Sequence, residues 1–261
     1  VSEKQPSVTI IIPTYNAPDF LSRCLSSLER NTLAPYKLII IDDRSSEIVM
    51  REYLHELEHK YHVILLRTRK GFAGICNHAV LKTDTKYICL LNSDTEAGFS
   101  WLTYMLEEVD NNEDVGIVGA KLMYPPQKGY NLGGSIQHAG VARNSEGLPY
   151  HIYGGQPSDL PAANKRRELN AVTFACVLIR RKMWDELGGL DEAYILGQFE
   201  DIDFCWRARK AGWKVVYQPK ATLLHYEHGS GEEAAMFSSK RNRDRLIKIW
   251  GNQGSDEHLF T

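Results

Sequence analysis

The sequence predicts a three-layer α/β fold, with helices on both faces of a mostly parallel central sheet. Through the first half of the chain, short apolar runs alternate with longer stretches of helical period. That is the pattern of βαβ units with right-handed crossovers. The runs at 8–12 and 37–41 are continuous rather than alternating, as suits strands buried on both faces. Polar clusters follow the carboxyl ends of these runs, where open α/β sheets bind ligands.

The elements follow in order. Residues 8–12 are β-branched and apolar and read as a buried strand stopped by Pro13. A helix opens at Pro18 or Asp19 and puts Phe20, Leu21, Cys24, Leu25 and Leu28 on one face. Residues 37–41 form the next strand and end in Asp42-Asp43. Helical period over 45–60 turns Leu54 and Leu57 inward, and 63–66 is a third strand. A loop enters a helix over 71–81, and a fourth strand at 87–91 ends in Asn92-Ser93-Asp94. A helix at 101–109 and a strand at 115–120 complete the alternation.

The second half reads differently. Residues 121–170 are rich in Gly, Pro, Asn and Tyr and suggest short strands and loops. A strand is expected at 171–179, then a helix at 181–187 stopped by Gly188-Gly189. A helix over 202–211 stops at Gly212, short strands follow at 214–217 and 221–225, and the tail over 238–250 is basic and amphipathic. No repeat or low-complexity segment interrupts the chain. Its 261 residues are read as one domain, with halves at about 1–120 and 121–237 and a basic helix and tail at about 238–261.

Composition excludes several classes. A formal net charge of -2 leaves no electrostatic footprint for nucleic acid. The basic run Lys165-Arg166-Arg167 reads as a solvated loop. No apolar run approaches the roughly 20 residues that span a bilayer. The polar start leads into a strand, so no secretory leader is expected; it also lacks Met, as an excised domain would. The five cysteines are odd in number, contain no CxxC and sit among apolar or helical neighbours, so they read as buried free thiols in a reducing cytoplasm.

Four clusters could carry chemistry, and each has an ordinary structural reading beside it. Asp94, on the turn after a buried strand, could bind a hard cation through oxygen, or simply hold the turn. Asp42 and Asp43 could accept a hydrogen bond from a base or ribose, or cap the turn that follows. Glu200-Asp201 are adjacent carboxylates that raise one another's proton affinity and suit a base, or are acids favoured at a helix N-terminus. His225 and His228 could ligate a metal or bind phosphate, or be structural.

The order of these clusters along the chain resembles the family-2 glycosyltransferases, which have the GT-A fold. The matching stretches are Val8-Thr9-Ile10-Ile11-Ile12-Pro13-Thr14-Tyr15-Asn16, Ile39-Ile40-Ile41-Asp42-Asp43-Arg44-Ser45, and Gly71-Phe72-Ala73-Gly74-Ile75-Cys76-Asn77. They continue with Leu90-Leu91-Asn92-Ser93-Asp94-Thr95, Gly188-Gly189-Leu190-Asp191-Glu192, and Glu200-Asp201-Ile202-Asp203-Phe204-Cys205-Trp206-Arg207. The likeness runs from about residue 7 to residue 250 and is nearest to bacterial enzymes of O-antigen and surface-polysaccharide assembly. It implies an inverting enzyme that takes a sugar from a UDP- or dTDP-linked donor to a hydroxyl of a glycan or lipid-linked acceptor. The first half would then hold the nucleotide sugar and the second the acceptor.

The resemblance also implies roles. Pro13, Thr14, Tyr15, Asn16, Asp42 and Asp43 would line the nucleotide pocket, with Arg69, Gly71, Phe72, Ala73, Asn77, Asn92 and Ser93 near the nucleotide sugar. Asp94 and His225 would hold Mn²⁺ or Mg²⁺, and Asp201, beside Glu200, would be the catalytic base. Two positions depart from the family pattern: Asn92 replaces the first acid of the usual Asp-x-Asp, and Arg69 replaces a common Asn. Two rivals are a sugar-1-phosphate nucleotidyltransferase and a non-catalytic nucleotide-sugar or glycan binder. Pro13-Thr14-Tyr15-Asn16-Ala17 has no glycine or lysine for a phosphate loop, which opposes the first; Glu200, Asp201, Asp94 and His225 together oppose the second. A cytoplasmic protein is expected, and the basic tail suggests peripheral contact with the inner face of a membrane.

Overall fold

The computed structural model describes residues 6–126, 133–227, 232–251 and 255–256, the side chains of 232–238 excepted. The first half comprises β1 (Val8–Thr14), α1 (Pro18–Asn31), β2 (Lys37–Asp42), α2 (Ile48–Leu57), β3 (His62–Leu65), α3 (Gly71–Val80), β4 (Tyr87–Leu91), β5 (Thr95–Ala97), α4 (Trp101–Asn111) and β6 (Val115–Met123). Then come β7 (Ile136–His138), β8 (Val141–Arg143), β9 (Pro149–His151), β10 (Arg167–Leu169), β11 (Cys176–Arg180), α5 (Arg181–Leu187), α6 (Glu200–Lys210), β12 (Lys214–His225) and α7 (Glu232–Trp250).

The main sheet runs β10-β12-β6-β11-β4-β1-β2-β3, with β5 added to β12 and β7 to β6. β4, β1, β2 and β3 are mutually parallel, and β12 is parallel to β6. β11 runs antiparallel between β4 and β6. Alternate side chains of the central strands enter two cores. Ile11, Ile88 and Leu90 join α3, α5 and α6 on one face; Ile10, Ile12, Tyr87, Cys89 and Leu91 join α1, α2 and α4 on the other. Three layers therefore form as the apolar runs require, and the five cysteines are buried and unbridged.

Several expectations change. Pro13 lies inside β1 rather than ending it: the ladder with β4 closes at Ile11–Leu90, so beyond that point β1 has a neighbour only on the β2 side. The helix expected at 45–60 starts at Ile48, because 45–47 are tied into a turn by Asp42 and Asn16. The strand expected at 171–179 starts at Cys176. The two strands expected at 214–225 are one strand with a bulge between Gln218 and Thr222. Arg166 is not simply solvated: its guanidinium pairs with the buried Glu108, Nη2 to Oε1 at 2.7 Å. His228 lies outside the described residues.

The basic tail packs on the domain. Leu246 is buried, Arg245 pairs with Asp191, and Trp250 Nε1 donates to Asp203 Oδ1 at 2.8 Å. Ile247 and Ile249 face outward. Among the described residues no helix is long and apolar enough to cross a membrane.

Close packing at the centre of β6 gives a direct test. A Cβ on Gly119 would stand 2.5 Å from the Val172 Cβ. Gly119→Ala overpacks this contact and is expected to cost about 1–3 kcal/mol, read as a lower urea midpoint at unchanged slope. An unchanged midpoint would mean that the sheet and segment 171–175 separate more easily than their packing implies.

Candidate active site

A cleft of about 960 Å³ opens at the carboxyl ends of β1, β2 and β4. It lies where the sheet's connections change direction, the ligand position of open α/β folds. One wall carries Pro13, Thr14, Tyr15 and Asn16 after β1, Asp43 after β2, and Asn92, Ser93 and Asp94 after β4. The other carries 173–175 and 196–202, including Glu200 and Asp201. Arg69, Phe72 and His225 complete the ring, and the β8–β9 hairpin adds Val141, Pro149, Tyr150 and His151.

Local geometry explains how the residues of the first wall are held. Asn16 and Ala17 adopt left-handed backbone (φ 56° and 58°), which turns the chain sharply off β1. The Asn16 amide then bridges to the turn after β2: its Oδ1 accepts from Ser46 N at 2.9 Å and Glu47 N at 3.1 Å. Asp43 accepts from Lys70 N at 2.6 Å and Gly71 N at 3.1 Å, so it caps the start of α3 while facing the cleft. The Arg69 guanidinium stacks 3.7 Å from the Tyr15 ring centroid and lies 3.5 Å from Asp43. Thr14 Oγ1 is buried without a partner among the described residues and lies in this wall.

Four residues expected in the site stand outside the cleft, and one of them, Ala73, is buried in the core on α3. Asp42 turns away to hold Ser45, accepting from its N at 2.9 Å and its Oγ at 2.5 Å. Asn77 clamps the loop after α5, exchanging hydrogen bonds with Leu190 N and O, both at 2.9 Å. Gly71 lies beneath the wall at φ 71°, where an added Cβ would meet Leu196 N at 3.0 Å. Its contribution is close approach of two backbones.

Asp94 and His225, 131 residues apart in the sequence, meet across the β5–β12 pairing, with Nε2 3.3 Å from Oδ1. The Asn92 amide lies 3.5 Å from the same Nε2. Gln137 fixes the ring: its Nε2 donates to His225 O at 3.0 Å, so its Oε1 accepts a hydrogen bond from His225 Nδ1–H at 2.7 Å. That leaves Nε2 either to donate to Asp94 or, deprotonated, to ligate a cation, the usual arrangement around a metal-binding histidine. The donor set of one carboxylate oxygen and one imidazole nitrogen fits a divalent cation that takes its remaining ligands from phosphate and water. Among the described residues no three His, Cys, Asp or Glu side chains cluster as a metal site. Gln137 lies in the loop-rich segment that has no readable period.

The opposite wall holds the two carboxyls in unequal surroundings. Glu200 is buried with Oε2 unpartnered among the described residues, and desolvation followed by the neighbouring Asp201 charge pushes its carboxyl well up. Asp201 is also pushed up by desolvation, but less, because Ile202 N at 2.8 Å and Phe174 N at 3.4 Å donate to it. The pair therefore keeps a proton on Glu200 after Asp201 has ionised. The segment leading to them is strained: Leu196, Gln198 and Phe199 have φ of 62°, 79° and 71°.

Both carboxyls hold their protons more tightly folded than unfolded. They add stability below the ordinary carboxylate range and lose it as pH rises through their folded values. Glu200→Gln mimics the protonated form. Its thermal midpoint is therefore expected to gain on the parent's as pH rises from the ordinary carboxylate range to about 8, leaving a shallower pH dependence from Asp201. Parallel curves for the two proteins would remove the case for a proton held on Glu200.

Comparison with known proteins adds the lineage. The chain is 35% identical over 263 residues to the uncharacterized protein y4gI of Sinorhizobium fredii, covering 95% of this chain and 28% of that one. It is 29% identical over 234 residues to the O-antigen biosynthesis protein RfbC of Myxococcus xanthus, covering 86% of this chain and 18% of that one. It thus spans less than a third of either relative. The crystal structure of GalNAc-T7 with UDP, GalNAc and Mn²⁺ superposes with a TM-score of 0.70 at 14% identity, over 97% of this chain and 49% of that one. That likeness identifies the fold as GT-A. The model of glycosyl transferase family 2 matches residues 9–188, and the chain belongs to that family.

Proposed function

We propose that this domain is an inverting, metal-dependent glycosyltransferase. It moves a sugar from a UDP- or dTDP-linked donor to a hydroxyl of a glycan or lipid-linked acceptor in cell-surface polysaccharide synthesis. The observation that carries the reading is the placement of Asp94 and His225, beside Asn92, in the same cleft as the Glu200–Asp201 pair. A cation-binding pair and a poised base are the two groups that such a transfer needs. The surface-polysaccharide role follows the name of the Myxococcus relative.

The residues divide the work. Tyr15, Arg69 and Asp43 form the nucleotide wall, where the Tyr15–Arg69 stack offers flat surfaces to a base and Arg69 a positive charge to phosphate. Asp94 and His225 would hold the cation. When bound, a divalent cation neutralises negative charge on the diphosphate. Asp201 accepts the proton of the acceptor hydroxyl as that oxygen bonds to the anomeric carbon. The carbon's bond to the diphosphate oxygen breaks, and the electron pair leaves with the nucleoside diphosphate. One displacement inverts the anomeric centre. Protonated Glu200 keeps a second negative charge away from Asp201, so Asp201 can ionise to serve as the base, its proton affinity raised by desolvation.

The donor is found by screening nucleotide sugars for metal-dependent thermal stabilisation. Asp201→Asn is then expected to lower transfer roughly 10²–10⁴-fold with donor affinity little changed, and the parent's product to carry the inverted configuration. Asp94→Ala is expected to abolish metal-dependent donor binding in a folded protein, and His225→Ala to weaken it less. Near-normal transfer by the Asn variant, or retained configuration, would overturn the displacement. Release of pyrophosphate from a nucleoside triphosphate would point to a nucleotidyltransferase instead. Charge reversal at Lys240, Arg241, Arg243 and Lys248 tests the membrane contact by liposome co-sedimentation, and unchanged sedimentation would remove it.

A further inference from the structure

We infer that Asn242, on the C-terminal helix α7, is a positioning residue for the catalytic carboxyls, holding 195–199 in the conformation that delivers Glu200 and Asp201 to the cleft. The inference rests on the reading of Asp201 as the base.

Segment 196–199 is the most contorted stretch among the described residues. Leu196, Gly197, Gln198 and Phe199 have φ of 62°, 148°, 79° and 71°, and only one of the four is glycine. L-residues leave this region unless neighbours over-determine it. Two contacts do so here. On the donor side, Phe72 N donates to Leu196 O at 3.2 Å, from a helix start that Asp43 caps. On the other side stands Asn242, fully buried. Its Oδ1 accepts from Ile195 N at 2.9 Å. Its Nδ2 faces the carbonyls of Ile195 at 3.0 Å, Gly197 at 2.7 Å and Gln198 at 3.1 Å. One N–H and three carbonyls admit a single orientation of the amide, and no aliphatic or acidic side chain can satisfy them.

The held segment is part of the site. Leu196, Gly197, Gln198 and Phe199 all line the cleft, and Phe199 immediately precedes the helix that starts with Glu200. A rotation of this backbone moves the Asp201 carboxylate relative to Phe174 N and to the donor wall. Helix α7 also docks through Leu246, Arg245 to Asp191, and Trp250 to Asp203. Asn242 can therefore be removed while these anchors remain.

The test uses the full chain, the nucleotide sugar that stabilises it most with Mn²⁺, and metal-dependent donor hydrolysis, in which Asp201 deprotonates water. Asn242→Ala and Asn242→Asp are expected to lower kcat about 10- to 100-fold, with the Kd for UDP and Mn²⁺ shifted much less. The acid limb of the pH profile should move toward the ordinary carboxylate range, and amide exchange over 196–199 should quicken. Leu246→Ala, which loosens α7 but leaves Asn242's hydrogen bonds to the segment in place, should lower Tm yet leave the acid limb and that exchange unchanged. If Asn242→Ala is too unstable to assay, Asn242→Gln, which keeps the amide but displaces it, is expected to move kcat and exchange the same way. Parental kcat and acid limb in the Asn242 variants overturn the inference, as does a loss that only tracks the folded fraction. Full hydrolysis by Asp201→Asn would sink the base assignment separately, and the exchange data would still decide whether Asn242 holds the segment.

Discussion

The direction of β11 is the constraint on which the site depends. β11 runs against both neighbours, so the chain enters it at the edge where β4 ends. Cys176 pairs with Leu91 there, and Asn92 N donates to Ala175 O at 2.9 Å. A parallel strand would have brought its other end to this edge. Because β11 is reversed, segment 173–175 lies beside the Asn92–Asp94 turn, and Phe174 N reaches Asp201. The two halves of the chain are thereby joined at the point where their polar residues meet.

Burial and strain follow from that junction. Two carboxyls packed beside Phe174 and the α3 core are costly to ionise together, and both are pushed up chiefly by desolvation. Backbone bent through left-handed conformations delivers them, held by α3 on one side and α7 on the other. Stability given up in such a place is a recurring property of sites that must be pre-organised.

Several residues with clear motif positions have structural work. Asp42, Asn16 and Asn77 satisfy backbone groups in the turns that shape the cleft, and only Asn16 of the three also lines it. Asp43 does both, since its carboxylate caps α3 while its side chain faces the cleft. Substitution of these residues therefore changes the shape of the site as well as its contacts.

The sequence by itself determined the layered α/β architecture, because buried parallel strands demand continuous apolar runs and helices demand a 3.6-residue period. It also marked Asp94, Glu200, Asp201 and His225, since polar residues at strand ends and helix starts stand out against apolar neighbours. Only the tertiary structure decided that β11 is reversed, that Gln137 orients His225, that Tyr150 and His151 enter the cleft, and that Asn242 holds 195–199. Strand direction and these contacts join segments dozens of residues apart, and they are set by which hydrogen-bonding groups remain unsatisfied once the sheet has closed. Local period and propensity carry no record of that.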